Sequence, residues 1–336
     1  MRTAVSGTKL SQAMDGVGCL LLSIYRAARE VPHAQFHDTV LELVKQAIPF
    51  DFAKWGTSHV TESGVVFHTA HLHQESPEAM ETYALVRHED SAAIFIASHT
   101  GMTGNFHNPT YFSGREHAAI RDYLQRYRHR NSLITGLPDA RTGLMNSLSL
   151  YRADADSQYG ERERQLCQCL VPHLMEALSI NQLLEIEQLR APHSRSVVSM
   201  AIADPFGVVC FAEPSFTVLV NAEWPGCGAA LIPTALQLAL GGTRGERYLG
   251  RAIVVSWVLK GGLFFLRARH RLPVDALTPR ELMIARDVSS GMTHKEIARH
   301  LHIAPATVRN HLSAIHERAQ ARNNAELATQ LRLAND

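Results

Sequence analysis

The 336-residue sequence lacks most of the features that announce a chemistry. Its five cysteines, Cys19, Cys167, Cys169, Cys210 and Cys227, are odd in number and scattered, without paired zinc-type spacing. Neither a disulfide framework nor a structural zinc site is expected, and free thiols in a reducing compartment fit best. Cys167 and Cys169 lie two apart, so on a helix they would point to different faces, which argues against a redox pair. No apolar run approaches a membrane span, and the stretch from Cys19 to Ile24 is too short and too close to charge for a signal peptide. A cytoplasmic protein with no membrane partner is expected. Charge is nearly balanced, 33 Lys and Arg against 32 Asp and Glu, so any affinity for nucleic acid must come from a local patch. No Gly-x-Ser-x-Gly elbow is present, and no phosphate-cradling glycine loop runs into a lysine. Gly241-Gly242-Thr243-Arg244-Gly245 lacks that lysine and reads as a loop. His71 and His73 would share one face of a strand, but no carboxylate or thiolate at ligand spacing accompanies them. No enzyme, metal or cofactor is therefore expected.

What is present is concentrated near the C-terminus. Leu277-Thr278-Pro279-Arg280-Glu281-Leu282 holds a capping Thr three residues before a Glu, with proline at the first helical position and two leucines placed to staple the entry. Gly291 should end that helix, and Met292-Thr293-His294-Lys295-Glu296-Ile297 repeats the same device. Ile297, Ala298 and Leu301 give the second helix an apolar face, His302-Ile303 a turn, and Pro305 the start of a third helix. Such spacing is that of a helix-turn-helix. In the third helix Val308, Leu312, Ile315 and Ala319 form the inward stripe, which leaves Ala306, Arg309, Asn310, Ser313 and Glu317 outward, with Thr307 and His311 on the flanks. Arg, Asn and Ser near a helix start are side chains that hydrogen-bond base edges in a major groove.

These stretches, continuing through Leu301-His302-Ile303-Ala304-Pro305-Ala306-Thr307-Val308-Arg309-Asn310-His311 and Ile315-His316-Glu317-Arg318, resemble the LuxR/FixJ-type DNA-binding domain. The resemblance implies a regulator that binds double-stranded DNA as a homodimer on an inverted repeat. It implies base reading by Arg309, Asn310 and Ser313 and backbone contacts from Lys295, Thr307, His311 and Arg318. It also implies a dimer surface on the fourth helix, at Leu327, Ala328 and Leu331. The sequence departs from the family at Ala304, where a Ser N-cap is usual, at Ala319-Gln320, usually Leu-Gly, and at Asn324, usually basic.

Upstream, periodicity predicts two helices from Gln12 to Pro49, strands at 52–59 and 65–72, and a helix at 77–87. A glycine-rich loop at 100–104, a helix at 115–127, strands at 133–137 and 144–151, and a long helix from Gly160 toward Leu189 follow. Pro172 should kink or interrupt that last helix. The pattern describes helices on one side of an antiparallel sheet. Element order, with Tyr159-Gly160-Glu161-Arg162-Glu163 and Leu170-Val171-Pro172-His173-Leu174, resembles a GAF-like input domain. After a boundary at Ala191-Pro192-His193-Ser194, two hairpins, turning at Asp204-Pro205-Phe206-Gly207 and Gly261-Gly262, resemble a PAS-like unit, and Leu272-Pro273-Val274-Asp275 reads as a hinge. The expected fold is thus multidomain α+β, with a GAF-like sensor at 1–190, a PAS-like strand-rich unit at 191–271 and an all-α four-helix LuxR-type helix-turn-helix domain at 272–336.

The expected function is a transcription regulator controlled by a small-molecule effector in the N-terminal region, where Phe52, Trp55, Tyr83, Phe106 and Tyr111 supply candidate aromatic walls. One alternative is an acyl-homoserine-lactone receptor. That family's pocket uses a Trp-x-x-x-Tyr pair followed by Asp-Pro, whereas here Trp55 is followed at that interval by His59 and no Asp-Pro follows at the expected distance. A phosphorylated response regulator would need an early acidic pair and a phosphoacceptor Asp on a later strand, neither of which is evident. An enzyme with an incidental helical tail is the alternative from another class.

Overall fold

The computed structural model describes residues 3–139, 142–189, 198–242, 247–260 and 262–335. The boundary at 190–196, the central part of the loop after Gly242, and Gly261 of the second hairpin turn lie outside the described residues. The chain separates into two compact units, one of residues 1–188 with 206–211 and 228–232, the other of the remainder.

The first unit runs α1 (Thr3–Glu30), α2 (His33–Ala47), β1 (Phe52–Thr61), β2 (Gly64–His73), α3 (Glu78–Val86), α4 (Ser91–Ser98), β3 (Thr103–His107), α5 (Asn108–Tyr111), α6 (Ala118–Arg126), β4 (Asn131–Pro138), β5 (Met145–Arg152) and α7 (Glu161–Leu189). Its strands form one antiparallel sheet in the order β2-β1-β5-β4-β3. The β1–β2 hairpin closes at Gly64, whose φ of +104° a side chain would strain.

Helices cover both faces of this sheet, not one as the sequence suggested. On one face Ile24, Phe36, Val40, Leu41 and Val44 of α1 and α2 pack with Leu170, Val171 and Leu174 of α7 against Trp55, Leu148 and Leu150. On the other, Ala79, Tyr83, Ala92, Ile96, Ile120 and Tyr123 of α3, α4 and α6 enclose a second core with Phe106 and Phe112. The cause is the period of two along each strand, which sends neighbours such as Lys54 and Trp55 to opposite sides. α4 was not foreseen; its apolar run is short, and its start is set by the Asp90 carboxylate accepting from the Ala93 amide at 2.9 Å. Nor does Pro172 end α7, which spans 29 residues from Glu161 to Leu189. The residues around that proline, Leu170, Val171 and Leu174, are fully buried, so tertiary packing outweighs the lost backbone hydrogen bond.

The second sheet has the order β7-β6-β10-β9-β8, from β6 (Ser199–Ala203), β7 (Val209–Ala212), β8 (Arg247–Leu249), β9 (Ile253–Lys260) and β10 (Leu263–His270), with α8 (Pro214–Glu223) and α9 (Thr234–Leu240) inserted. The expected turns are there, Gly207 at φ +85° and Gly262 at +78°.

Four helices close the chain: α10 (Pro279–Ser289), α11 (His294–His300), α12 (Pro305–Arg318) and α13 (Asn324–Asn335). The segment read as a hinge forms a short 3-10 turn over Pro273–Ala276. Val274 is buried in the helical core. Asp275, 1% exposed, takes both guanidinium nitrogens of Arg269 at 2.7 and 2.8 Å, pairs also with Arg247, and accepts from the Leu272 amide. Arg269 further donates to the Ala334 carbonyl in α13 at 3.0 Å, so one buried arginine on β10 holds both ends of the helical bundle.

Candidate DNA-binding surface and sensor cavity

Both predicted capping boxes form. Thr278 Oγ1 accepts from the Glu281 amide while Glu281 accepts from the Thr278 amide at 2.9 Å, and Thr293 and Glu296 repeat the exchange with 2.7 Å for the return bond. Val308, Leu312, Ile315 and Ala319 of α12 are buried with Ile284, Ile297 and Leu327, which fixes the rotation of the helix about its axis. Arg309, Asn310 and Ser313 therefore stand exposed on one side, with Thr307 and His311 half-buried beside them and Lys295 exposed on α11. Ser313 returns a hydrogen bond to the Arg309 carbonyl at 3.2 Å. Arg318 is otherwise engaged, since its guanidinium meets the Glu281 carboxylate at 2.5 Å and ties the end of α12 to the start of α10. Ala304 caps nothing, as its side chain dictates.

In the first unit a cavity of about 40 Å³ lies between β1, β2, β4 and β5 of the sheet and the helices α3 and α4. Its wall is apolar at Val65, Phe67, Ile96 and Ile134 and polar at Lys54, Ser58, Ser147 and Asp90. Lys54 is 7% exposed, and its ammonium sits over the rings of Phe67 and Tyr83, 4.1 and 4.4 Å from their centroids. Burial pushes its pKa down to about 8, against the opposing pull of the Asp90 and Glu75 carboxylates. Tyr83 donates to Asp90 at 2.8 Å, and burial together with that carboxylate pushes the phenol up. The Ser147 hydroxyl is buried without a hydrogen-bond partner.

Residues 275–331 match the family model described as bacterial regulatory proteins, luxR family. These residues form a luxR-family DNA-binding domain. No curated protein matches the chain. Among solved structures the chain is similar to SdiA of Escherichia coli, at 13% identity over 96% of this chain and 98% of that one, with a TM-score of 0.38. It is similar also to CepR2 of Burkholderia cenocepacia, named an N-acylhomoserine-lactone-dependent LuxR family factor, at 15% identity over 48% and 93%, with a TM-score of 0.37. A phycoerythrobilin-bound GAF domain from a cyanobacterial phytochrome matches at 13% identity over 50% and 97%, with a TM-score of 0.35.

Of the seven residues expected to contact DNA, Lys295, Arg309, Asn310 and Ser313 are exposed, Thr307 and His311 are half-buried, and Arg318 is held in an ion pair with Glu281. Of the dimer surface expected on α13, Leu327 and Leu331 are corrected, being 0% and 4% exposed and spent on the domain's own core, while Ala328 is half-buried. Of the five aromatic candidates only Tyr83 lines the cavity. Phe106 packs into the same helical core beside it, Trp55 belongs to the opposite face of the sheet, Tyr111 is 41% exposed, and Phe52 sits half-buried near His129. The sequence reading missed Lys54 and Ser147. A lysine inside the strand run Phe52-Ala53-Lys54-Trp55, alternating against a tryptophan, was the available signal. It also missed the carboxylate beside the histidines: Asp38 of α2 accepts from His71 and His73 at 2.9 and 2.7 Å, from a helix 33 residues or more away in sequence. Cys167 and Cys169 do face apart, the first buried with its thiol pushed up to about 11 by burial, the second exposed.

Proposed function

We propose that the chain is a sequence-specific regulator that binds an inverted-repeat operator as a homodimer and is controlled by a small molecule held in the cavity of the first unit. The observation that carries the DNA half is the exposed row Arg309, Asn310 and Ser313 on a helix whose opposite stripe is buried. From 295 to 322 the basic groups are Lys295, Arg299, Arg309, Arg318 and Arg322 against Glu296 and Glu317, so one domain contacts few phosphates and binds weakly, and two bound together gain through effective concentration. The effector half rests on the cavity with its mixed wall. Trp55 faces away from that cavity and His59 stacks on His68, so this chain does not repeat the aromatic pair of a lactone receptor around its own cavity.

The test is selection of operator sequences by the parent, then by Arg309→Ala and Asn310→Ala. Each variant is expected to lose about 1–3 kcal/mol of discrimination at one base position while melting like the parent. Unchanged affinity and base preference in both would reject this face. Absence of any DNA binding by the parent, with a turnover found in a substrate screen, would favour an enzyme.

A further inference from the structure

Lys54 is the one cationic group in the cavity wall, and its surroundings are unusual for a buried charge. An ammonium has three donors and must place them when it leaves water. Among the described residues no carbonyl, carboxylate or hydroxyl accepts from it, and the rings of Phe67 and Tyr83 attract its charge without accepting a directed hydrogen bond. The nearby carboxylates are occupied elsewhere: Asp90 takes the Tyr83 hydroxyl and the Ala93 amide, and Glu75 pairs with the buried His129. Ser147, on the same wall, is a second buried polar group without a partner. Two unfulfilled hydrogen-bonding groups facing one small space define what would fill it, an acceptor for the ammonium that can also meet a hydroxyl. The remaining wall, Val65, Ile96 and Ile134 with Phe67, takes a short hydrocarbon body. Room for about three water molecules limits that body to a few carbons.

We propose that the cavity binds a short-chain monocarboxylate, with its carboxylate on Lys54 Nζ and the Ser147 hydroxyl and its alkyl end against Ile96 and Ile134. This deepens the effector reading above and rests on it. A charge-assisted pair inside a low-dielectric wall selects the carboxylate over its neutral or cationic isosteres, because each of those leaves the ammonium without an anionic acceptor.

The experiment uses the full chain and three matched probes, propionate, propionamide and propylammonium, at constant ionic strength, with binding read by calorimetry and by melting temperature. Propionate is expected to bind at least about tenfold more tightly than either isostere. Lys54→Met should abolish its binding, and Ser147→Ala should weaken it severalfold. Ser147→Ala keeps the test decisive if the lysine variant fails to fold. Propionamide binding as well as propionate, or propionate affinity unchanged in Lys54→Met or in Ser147→Ala, would overturn the carboxylate assignment while leaving a small-molecule cavity in place. No binding of any probe by the parent overturns the assignment too; if native mass spectrometry of the purified chain then also finds no bound small molecule, the effector reading falls with it. Operator binding by the parent, measured without probe on the same samples, tests the DNA-binding half of the reading separately from the cavity.

Discussion

Gln320 has a φ of +50°, in the left-handed region where a side chain costs energy and glycine does not. It occupies the position after the end of α12, where the Ala321 amide reaches back to the His316 carbonyl at 2.9 Å and the Gln320 amide to that of Glu317 at 3.1 Å. Gln320→Gly should therefore stabilise the helical domain by about 1 kcal/mol, seen as a higher midpoint in urea with unchanged slope. A lower midpoint would mean that the side chain makes a contribution the backbone geometry does not reveal. His37 offers a residue-scale test of a different kind. Burial, then the charges of His71 and His33, push its pKa down to about 3, against an opposing pull from Asp38. The unfolded chain takes a proton near pH 6.5 that the folded chain refuses until about pH 3, so this contribution is complete above 6.5 and is lost as pH falls between those values. The ring is half-buried, stacked on His71 and edge-on to Trp55, so solvent screening reduces the effect to roughly 1 kcal/mol at pH 5. Melting curves of the parent and His37→Phe at pH 7.5 and pH 5 should diverge, the parent losing more; parallel losses would show that the proton is not refused here.

At the scale of elements, α12 begins without a side-chain cap because Ala304 has no oxygen to offer. Ala304→Ser should add about 1 kcal/mol, and because it acts at the opposite end of the helix from Gln320, the two gains should sum in the double variant. Equilibrium unfolding of both single variants and the double one checks this, and a double variant no better than either alone would refute independence. The helical domain was the most legible part of the sequence for the same reason that such local changes are predictable. Capping boxes, a proline at the first helical position and Gly291 at a helix end act over a few residues, so Thr278, Glu281, Thr293 and Glu296 fall where their spacing put them. The cavity was not legible in that way. The strand run around Lys54 hints only that the lysine faces away from Trp55; it is enclosed because β1 pairs with β2 and β5 and because α3 and α4 fold over that face, which no local spacing reports. Leu327 and Leu331 show the complementary limit: spacing identifies an apolar stripe but not what it meets, and here α13 packs on α10 and the turn over Pro273–Ala276, with both leucines in the domain's own core.

At the scale of the molecule, strands β6, β8, β9 and β10 and the DNA-binding helices belong to one compact unit, and the Arg269–Asp275 contact joins β10 to the turn that precedes those helices. Burial alone would raise the Asp275 pKa, yet the Arg269 hydrogen bonds, the Leu272 amide and the charges of Arg269 and Arg247 hold it below the ordinary carboxylate range. Arg269→Met removes the better-buried partner and strands the carboxylate, which should cost about 3 kcal/mol and lower the melting temperature of this unit. A variant as stable as the parent would show that Arg247 alone suffices. Mechanically the joint has no backlash. A displacement of β10 is delivered to Pro273–Ala276, and through the Ala334 carbonyl to α13, without first taking up slack in a tether. A loosely strung domain can swing to meet half-sites at several spacings, whereas one bolted at two points cannot. In the dimer proposed above, the tolerance for the distance between half-sites would then be a property of the sheet rather than of the helices proposed to read the bases.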